Sequence, residues 1–376
     1  MKCLIWGANK SGMWFRQFAE NLSDLDCEVK AFGDNNPDLH NTVMNGLKVY
    51  DISIVLEMYE KGEIDSVIIA TSNRHINNIV QQLFSAGIQS IYMIPPYIYR
   101  KNNNRLKLEE VLLQVDVSKP RMKYFEYHVA DHCNLNCKGC GHFCNLVTNP
   151  TFGDLVQFER DLNRLKELVW GVERIRLMGG EPLLNPQLSR FAIKARQVFP
   201  DASIHIVTNG LLIDRMDDEL FRVMYDYDIE FDISRYKPTE KKLDKIEEIC
   251  EGKGVVYNIS HESIHEFKKG FDVSGTNNPI ESYEACSSKH CAFLRDGKIS
   301  VCCGPMLIDK FIDRFGIDIT VSDGDVMDLY KVKDGWELVD TLAKPVTMCR
   351  YCTSQPQFFE WKKAGYEVDM QDWMID

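Results

Sequence analysis

Three cysteines in the stretch His132-Cys133-Asn134-Leu135-Asn136-Cys137-Lys138-Gly139-Cys140 carry the most direct chemical signal in this sequence. Cys133, Cys137 and Cys140 put three thiols on one short loop. A tetrahedral zinc or a closed iron–sulfur cube takes four protein ligands, so a set of three leaves one position for a ligand that is not protein. Buried free thiols also pack as small hydrophobes. Here, however, the neighbours Asp131, Asn134, Asn136, Lys138, Gly139 and Gly141 are polar or turn-forming. The loop reads as a metal site that does chemistry. Its spacing alone does not choose zinc over iron–sulfur.

A second set lies toward the end of the chain. Cys286 precedes a Gly297 turn and Cys302, and Cys349-x2-Cys352 follows after a gap. The Cys-x2-Cys pair is a metal-knuckle spacing, and four thiols complete a closed set; a zinc ribbon is the structural alternative. Cys291 and Cys303 are rival ligands that sequence does not exclude. Cys3, Cys27 and Cys250 fall in apolar contexts and read as core, and Cys144 as structural.

The elements that position these groups follow from the hydrophobic pattern. With 376 residues the chain suits two or three domains. Its hydrophobic content of 44% and charged content of 27% are those of an ordinary globular protein. No apolar run is long enough to span a bilayer, and the start reads as a strand rather than a signal peptide, so the expected location is the cytoplasm. There, 13 Cys argue for metal or catalysis rather than disulfides. The net charge of −12 argues against a duplex nucleic-acid partner.

Strand patterns at Cys3–Trp6, Val29–Phe32, Ser66–Ala70 and Ser90–Ile94 alternate with helical stretches such as 75–86, predicting a parallel sheet over residues 1–100. Residues 101–120, with Asn102-Asn103-Asn104 and a charged run, read as a linker. A second alternation fills 121–275, with strands expected at 124–130, 173–178, 203–207, 229–233 and 254–258. Helices are expected at 154–168, 187–198, 215–224 and 239–250. Residues 276–376 change character, with short strands around an Asp296-Gly297 hairpin turn. The aromatic group Phe358, Phe359, Trp361 and Trp373 reads as the packing of a small domain.

In a barrel-like βα repeat, catalytic groups gather on the loops after the strands. The Cys loop follows the first strand of the second alternation and Gly179-Gly180-Glu181-Pro182 the second. Thr208-Asn209-Gly210 follows the third and Ser234-Arg235-Tyr236 the fourth. Each segment alone is weak, since Gly-Gly and Asn-Gly are common turns and a charge at a strand end is usually solvated. Together they converge on one mouth. Two glycines after an apolar strand let a ligand approach the backbone, and Glu181 offers a negative partner to an ammonium group.

The Cys loop with Gly179-Gly180-Glu181-Pro182 resembles the radical SAM superfamily over roughly residues 122–270. The resemblance implies a partial (β/α)6 barrel with a [4Fe–4S] cluster on Cys133, Cys137 and Cys140, whose open iron chelates S-adenosylmethionine. Gly179, Gly180, Glu181 and Pro182 match the family segment that binds the methionine amine. Asn209, Ser234 and Arg235 stand where such enzymes contact ribose and carboxylate. The family usually has an aromatic before the third Cys; here it is Gly139, with His142 or Phe143 as substitutes near the adenine. The chemistry implied is reductive cleavage to a 5′-deoxyadenosyl radical that takes a substrate hydrogen, with electrons from a donor such as flavodoxin or ferredoxin. Cys286, Cys302, Cys349 and Cys352 resemble the twitch version of the SPASM extension. That implies a second [4Fe–4S] cluster and points to two-electron oxidation of a sugar-like small molecule.

Near the N-terminus, Gly7-Ala8-Asn9-Lys10-Ser11-Gly12 follows the first strand and Asp34 the second. Gly7, Asn9, Gly12 and Asp34 resemble a Rossmann fingerprint whose central pattern Asn9 and Lys10 interrupt. This reads as a degenerate unit that docks a substrate, a nucleotide-sugar or a partner, in preference to one that binds NAD. The expected fold is thus α/β: a Rossmann-like parallel sheet, a partial radical SAM barrel, and a small twitch-like iron–sulfur domain. The expected function is an oxidoreductase acting on a sugar or nucleotide-sugar. The alternatives are a peptide-modifying or epimerising radical enzyme, and a non-catalytic iron–sulfur scaffold or redox sensor.

Overall fold

The computed structural model describes all residues except 22–26, 72–74, 96–97, 99–106, 366 and 376. The Asn102–Asn104 part of the expected linker therefore lies outside the described residues. The chain forms two compact units. The first comprises Met1–Arg121 with Trp170–Glu173 and Pro200–Ser203; the second holds the rest.

Apolar runs flanked by turns make the strands of the first unit, β1 (Lys2–Trp6), β2 (Glu28–Gly33), β3 (Val43–Met44), β4 (Leu47–Tyr50), β5 (Ser66–Ile69), β6 (Ile91–Met93) and β7 (Leu113–Gln114). They form one sheet in the order β3-β4-β2-β1-β5-β6-β7. The strands from β4 to β6 are parallel, and β3 and β7 close the edges antiparallel. Because β1 and β5 have helices to cover both faces, they read as unbroken apolar runs and are buried throughout their centres. Part of the expected linker differs from the sequence reading. Residues Leu108–Val111 form a short helix and β7 adds the seventh strand. Val111 and Val115 are buried, so this run is apolar at alternate positions and joins the core.

The second unit continues with β8 (Arg121–Ala130), β9 (Gly171–Gly179), β10 (Ser203–Thr208), β11 (Ile229–Ile233), β12 (Tyr257–Ile259), β13 (Glu266–Phe271), β14 (Phe293–Arg295), β15 (Lys298–Ser300), β16 (Val326–Asp328) and β17 (Cys352–Glu360). Eight of these share a sheet, ordered β12-β11-β10-β9-β8-β14-β15-β16, and β13 pairs with β17. Helices Leu155–Leu168, Leu188–Val198, Asp218–Asp226 and Leu243–Lys253 alternate with β8–β12. The first of these is amphipathic, burying Phe158, Leu162 and Leu165, and starts where the Asp154 carboxylate accepts from the Gln157 N–H. The strand expected at 254–258 starts later, at Tyr257, because the preceding helix runs on to Lys253. Asp296-Gly297 forms the turn joining β14 to β15, as its residue types predict. Asp161, buried inside helix Leu155–Leu168, accepts from the Gly297 N–H at 2.9 Å and from the Tyr330 hydroxyl at 2.9 Å. That pins the hairpin turn to this helix. No helix among the described residues is long and apolar enough to cross a membrane.

Candidate metal and cofactor site

The loops after β8–β11 meet, as the strand order requires. Cys133, Cys137 and Cys140 line one cavity of about 180 Å³ with Met178, Gly179, Gly180, Val207, Asn209 and Ser234. The glycines have a reason beyond ligand access. A Cβ on Gly179 would stand 2.0 Å from the Ala130 carbonyl oxygen, and one on Gly180 2.0 Å from that of His132. The end of β9 thus lies directly against the chain entering the Cys loop. The Gly180 N–H donates to Ala130 and the Glu181 N–H to His132.

Glu181 differs from its sequence reading. Its side chain is fully buried and its carboxylate is spent inside the protein. Oε1 accepts from the Thr208 hydroxyl at 2.6 Å and the Leu183 N–H at 3.1 Å, and Oε2 from the Asn209 N–H at 2.9 Å. It ties the loops after β9 and β10 together instead of facing an ammonium group. Burial pushes it up to about 7. Pro182 is buried at the start of the turn that Glu181 caps. Asn209 lines the cavity and donates through Nδ2 to Asn134 at 2.8 Å, 3.7 Å from the Cys133 sulfur. Ser234 lines it too, but Arg235 turns away, 3.2 Å from Glu240 and donating to the His261 carbonyl. Phe143 is also not in this cavity. It packs against Phe311 and Trp373 in an apolar cluster and lines the C-terminal cavity. His142 does line the Cys-loop cavity.

The sequence reading missed what covers the loop. The Trp361 indole N–H donates to the Cys137 sulfur at 3.2 Å, and that of Trp373 to the Cys140 carbonyl at 2.8 Å. Backbone bonds join Lys138 to Lys362 and Ala364 to Asn136, and Lys138 lies 2.8 Å from Asp372. The aromatics expected as mere packing therefore include two that hold the loop. The missing aromatic before Cys140 is explained by the same strap. Gly139 has φ +62°, and a Cβ there would meet the Asp372 carbonyl at 2.5 Å and the Phe359 ring at 2.9 Å. Tyr236 and Phe267 complete the lining.

Cys286, Cys302, Cys349 and Cys352 line a second cavity of about 210 Å³. Cys303 borders it as well, while Cys291 does not. Among the described residues, no three thiols have sulfurs all within 4.8 Å of one another. A tetrahedral zinc with bonds of about 2.3 Å needs sulfurs roughly 3.8 Å apart, closer than either set holds three of its sulfurs together. Burial pushes Cys133 up to about 11 and Cys137 and Cys352 to about 12, and raises Cys302. Held as neutral thiols on their own, they suit a cationic group that stabilises thiolates. Thiol-only donor sets are compatible with iron–sulfur clusters, three thiols bordering the first cavity and four the second.

One face of the sheet continues below the first cavity. Side chains alternate along a strand, so Arg176 shares a face with Met178, His205 with Val207, and Asp232 with Ser234. The Arg176 guanidinium is 3.2 Å from Asp232 and 5.7 Å from the Tyr124 ring centre, and His205 Nδ1 is 3.2 Å from Asp232. Burial alone would raise Asp232, but His205 and Arg176 hold it below the usual carboxylate range.

Residues 127–285 match the radical SAM superfamily. The chain carries a radical SAM domain. It is an enzyme domain of the class that takes a [4Fe–4S] cluster and S-adenosylmethionine. Residues 1–97 match the CoA binding domain family. Over 102 residues, 27% of this chain, it is 32% identical to GTP 3′,8-cyclase of Geobacter sulfurreducens, covering 31% of that protein. Over 98 residues, 26% of this chain, it is 33% identical to molybdenum cofactor biosynthesis protein 1 of Bos taurus, covering 15%. The chain thus spans about a third or less of the curated relatives it matches. Among solved structures, BtrN in complex with AdoMet and 2-DOIA is 17% identical, covering 62% of this chain and 94% of that one, with a TM-score of 0.38. UDP-D-quinovosamine 4-dehydrogenase from Vibrio fischeri is 20% identical, covering 31% of this chain and 93% of that one, with a TM-score of 0.26.

The N-terminal residues singled out above are largely occupied by their own loop. Asn9 Oδ1 accepts from the Ser11 and Gly12 N–H groups, and the Asp34 carboxylate accepts from the Ala8 N–H at 2.8 Å. Gly7 donates its N–H to the Gly33 carbonyl. The amides that open the helix Lys10–Asn21 are thereby capped from within.

Proposed function

We propose that the radical SAM domain acts with the C-terminal four-thiol site as an oxidoreductase that removes two hydrogens from a hydroxyl-bearing small molecule, a sugar or nucleotide-sugar. The observation that carries this reading is the presence, in one unit, of an open three-thiol set and a separate closed four-thiol set. Cys133, Cys137 and Cys140 would hold one cluster, and Cys286, Cys302, Cys349 and Cys352 the other. When bound, the first cluster with S-adenosylmethionine supplies a 5′-deoxyadenosyl radical for hydrogen abstraction, and the second is an electron acceptor.

The residues of the chain do the positioning. Asn209 and Ser234 edge the cavity, and Trp361, Tyr236 and Phe267 close it against water, which protects reactive species. Arg176, His205 and Asp232 lie on the sheet face beneath. His205 Nε2 is buried without a hydrogen-bond partner, as is Arg176 Nε, and both are donors suited to hydroxyl or phosphate oxygens. The residues 1–100 are proposed to dock a substrate or partner, since their loop amides are already bonded.

The test is anaerobic reconstitution with iron and sulfide, followed by reductant and S-adenosylmethionine. Formation of 5′-deoxyadenosine and methionine, abolished by Cys137→Ala, supports the radical chemistry; no cleavage refutes it. A product lighter by two hydrogens supports oxidation, and an unchanged mass refutes it in favour of epimerisation.

A further inference from the structure

Neither thiol set uses Cys303, although it borders the second cavity. Its sulfur belongs to a different group. Glu126 on β8, His142 on the turn after Cys140, and Cys303 bring one oxygen, one nitrogen and one sulfur within 4.8 Å of one another. It is the one such group among the described residues. His142 lines the first cavity and Cys303 the second, so the group stands on the wall they share.

The surroundings are arranged for a cation that is not a side chain. Glu126 is 4% exposed. The basic groups nearby lie closest to other carboxylates: Arg176 is 3.2 Å from Asp232, Arg295 is 2.8 Å from Asp131, and Lys310 is 3.7 Å from Asp131. Arg176 reaches Glu126 only through its longer-range field. A buried carboxyl beside a half-buried thiol, with no ion-pair partner in contact, is eased by a proton or by a metal that joins the two. The Tyr124 hydroxyl donates to Glu126 Oε2 at 2.9 Å and fixes the carboxyl plane. His142 Nδ1 is 2.8 Å from His128 Nε2, and His128 Nδ1 is 3.5 Å from Asp131. A histidine ligand commonly has its second nitrogen fixed this way, which leaves Nε2 to the metal.

We propose that Glu126, His142 and Cys303 bind a zinc ion, a third metal centre of this chain, with its fourth position open to water or a substrate oxygen. A mixed oxygen, nitrogen and sulfur set suits zinc, which accepts all three in tetrahedral geometry and does no redox chemistry. Binding releases the Cys303 thiol proton, and any proton on Glu126, to solvent. An oxygen held there lies between the two cavities, where a zinc lowers the pKa of a bound hydroxyl. The proposal stands apart from the identity of the substrate.

The experiment uses the full chain, purified and reconstituted without oxygen, incubated with zinc and desalted. Zinc and iron are counted, and the zinc K-edge absorption is recorded, since that edge does not see iron. The expected result is one zinc per chain with one sulfur at about 2.3 Å and the remaining donors nitrogen or oxygen at about 2.0–2.1 Å. Cys303→Ser should remove the sulfur from that shell, and Glu126→Gln should lose most of the zinc, both with parental iron content and circular dichroism. A shell of four sulfurs, no zinc after desalting, or an unchanged shell in Cys303→Ser overturns the assignment. The parental spectrum decides the donors by itself, so a variant that fails to fold does not blunt the test.

Discussion

Replacing Gly139 by alanine isolates the strap that closes the Cys loop. The residue has φ +62°, in the left-handed region, which costs a side chain about 1–2 kcal/mol. The added Cβ would also stand 2.5 Å from the Asp372 carbonyl oxygen, a backbone atom, so the strap must move. Moving it breaks the bond from Trp373 to the Cys140 carbonyl, worth about 1 kcal/mol, and loosens the ion pair between Lys138 and Asp372. That pair is partly exposed and adds at most a few tenths of a kcal/mol. The expected loss is about 3 kcal/mol, an order-of-magnitude sum of these parts. The control is Gly141→Ala in the same loop, where nothing lies within 4 Å of the added carbon. Both variants are unfolded in urea, without oxygen and with the thiols reduced, and the strap is probed by limited proteolysis. Equal stability of the two variants, or a strap as protected in Gly139→Ala as in the parent, would refute the argument.

Arg295→Met should destabilise by about 3–5 kcal/mol in chemical denaturation, because Asp131 loses a two-pronged partner at 2.8 and 3.1 Å and stays largely buried. Burial pushes His128 down to about 4 from its ordinary 6.5. The unfolded chain therefore takes the proton first, so metal-free protein should lose about 3 kcal/mol as pH falls from 6.5 to 4. A pH–stability profile that is no flatter in His128→Phe would contradict this. Trp361→Phe removes the indole N–H from the Cys137 sulfur, and a bond of about 1 kcal/mol favouring the reduced state predicts a potential lower by roughly 50 mV in an anaerobic redox titration. Finally, Cys349→Ser with Cys352→Ser should cut iron from roughly eight to roughly four per chain while cleavage of S-adenosylmethionine persists.

Much of this was readable from the sequence because local patterns are strong there. The strands expected at 203–207 and 229–233 and the helix expected at 154–168 follow from apolar periodicity, and the structure has them at Ser203–Thr208, Ile229–Ile233 and Leu155–Leu168. The loops that carry Cys133, Gly179, Asn209 and Ser234 follow from strand order, since a parallel βα repeat must bring them together. What the pattern hid was distant. Nothing near Cys137 announces Trp361, 224 residues on, and a lone tryptophan in a C-terminal segment looks like any other packing residue. Glu181 looked like a ligand because its type suits an ammonium group. Its burial depends on Thr208 and Asn209, which no local rule connects to it. Likewise Cys291 and Cys303 were indistinguishable from Cys286 and Cys302 by spacing, and differ by which cavity or carboxyl each faces.

The strap also has a consequence for how the enzyme is made. Trp361 and Trp373 leave the ribosome more than two hundred residues after the cysteines they cover. At about 5–20 residues per second that is an interval of roughly ten to fifty seconds in which the loop is synthesised but unsealed. Iron and sulfide delivered to Cys133, Cys137 and Cys140 within this window would meet a loop that nothing yet covers. Afterwards the loop is already held by two indole hydrogen bonds and two backbone bonds. The order of synthesis thus separates the metal-binding thiols from their cover in time.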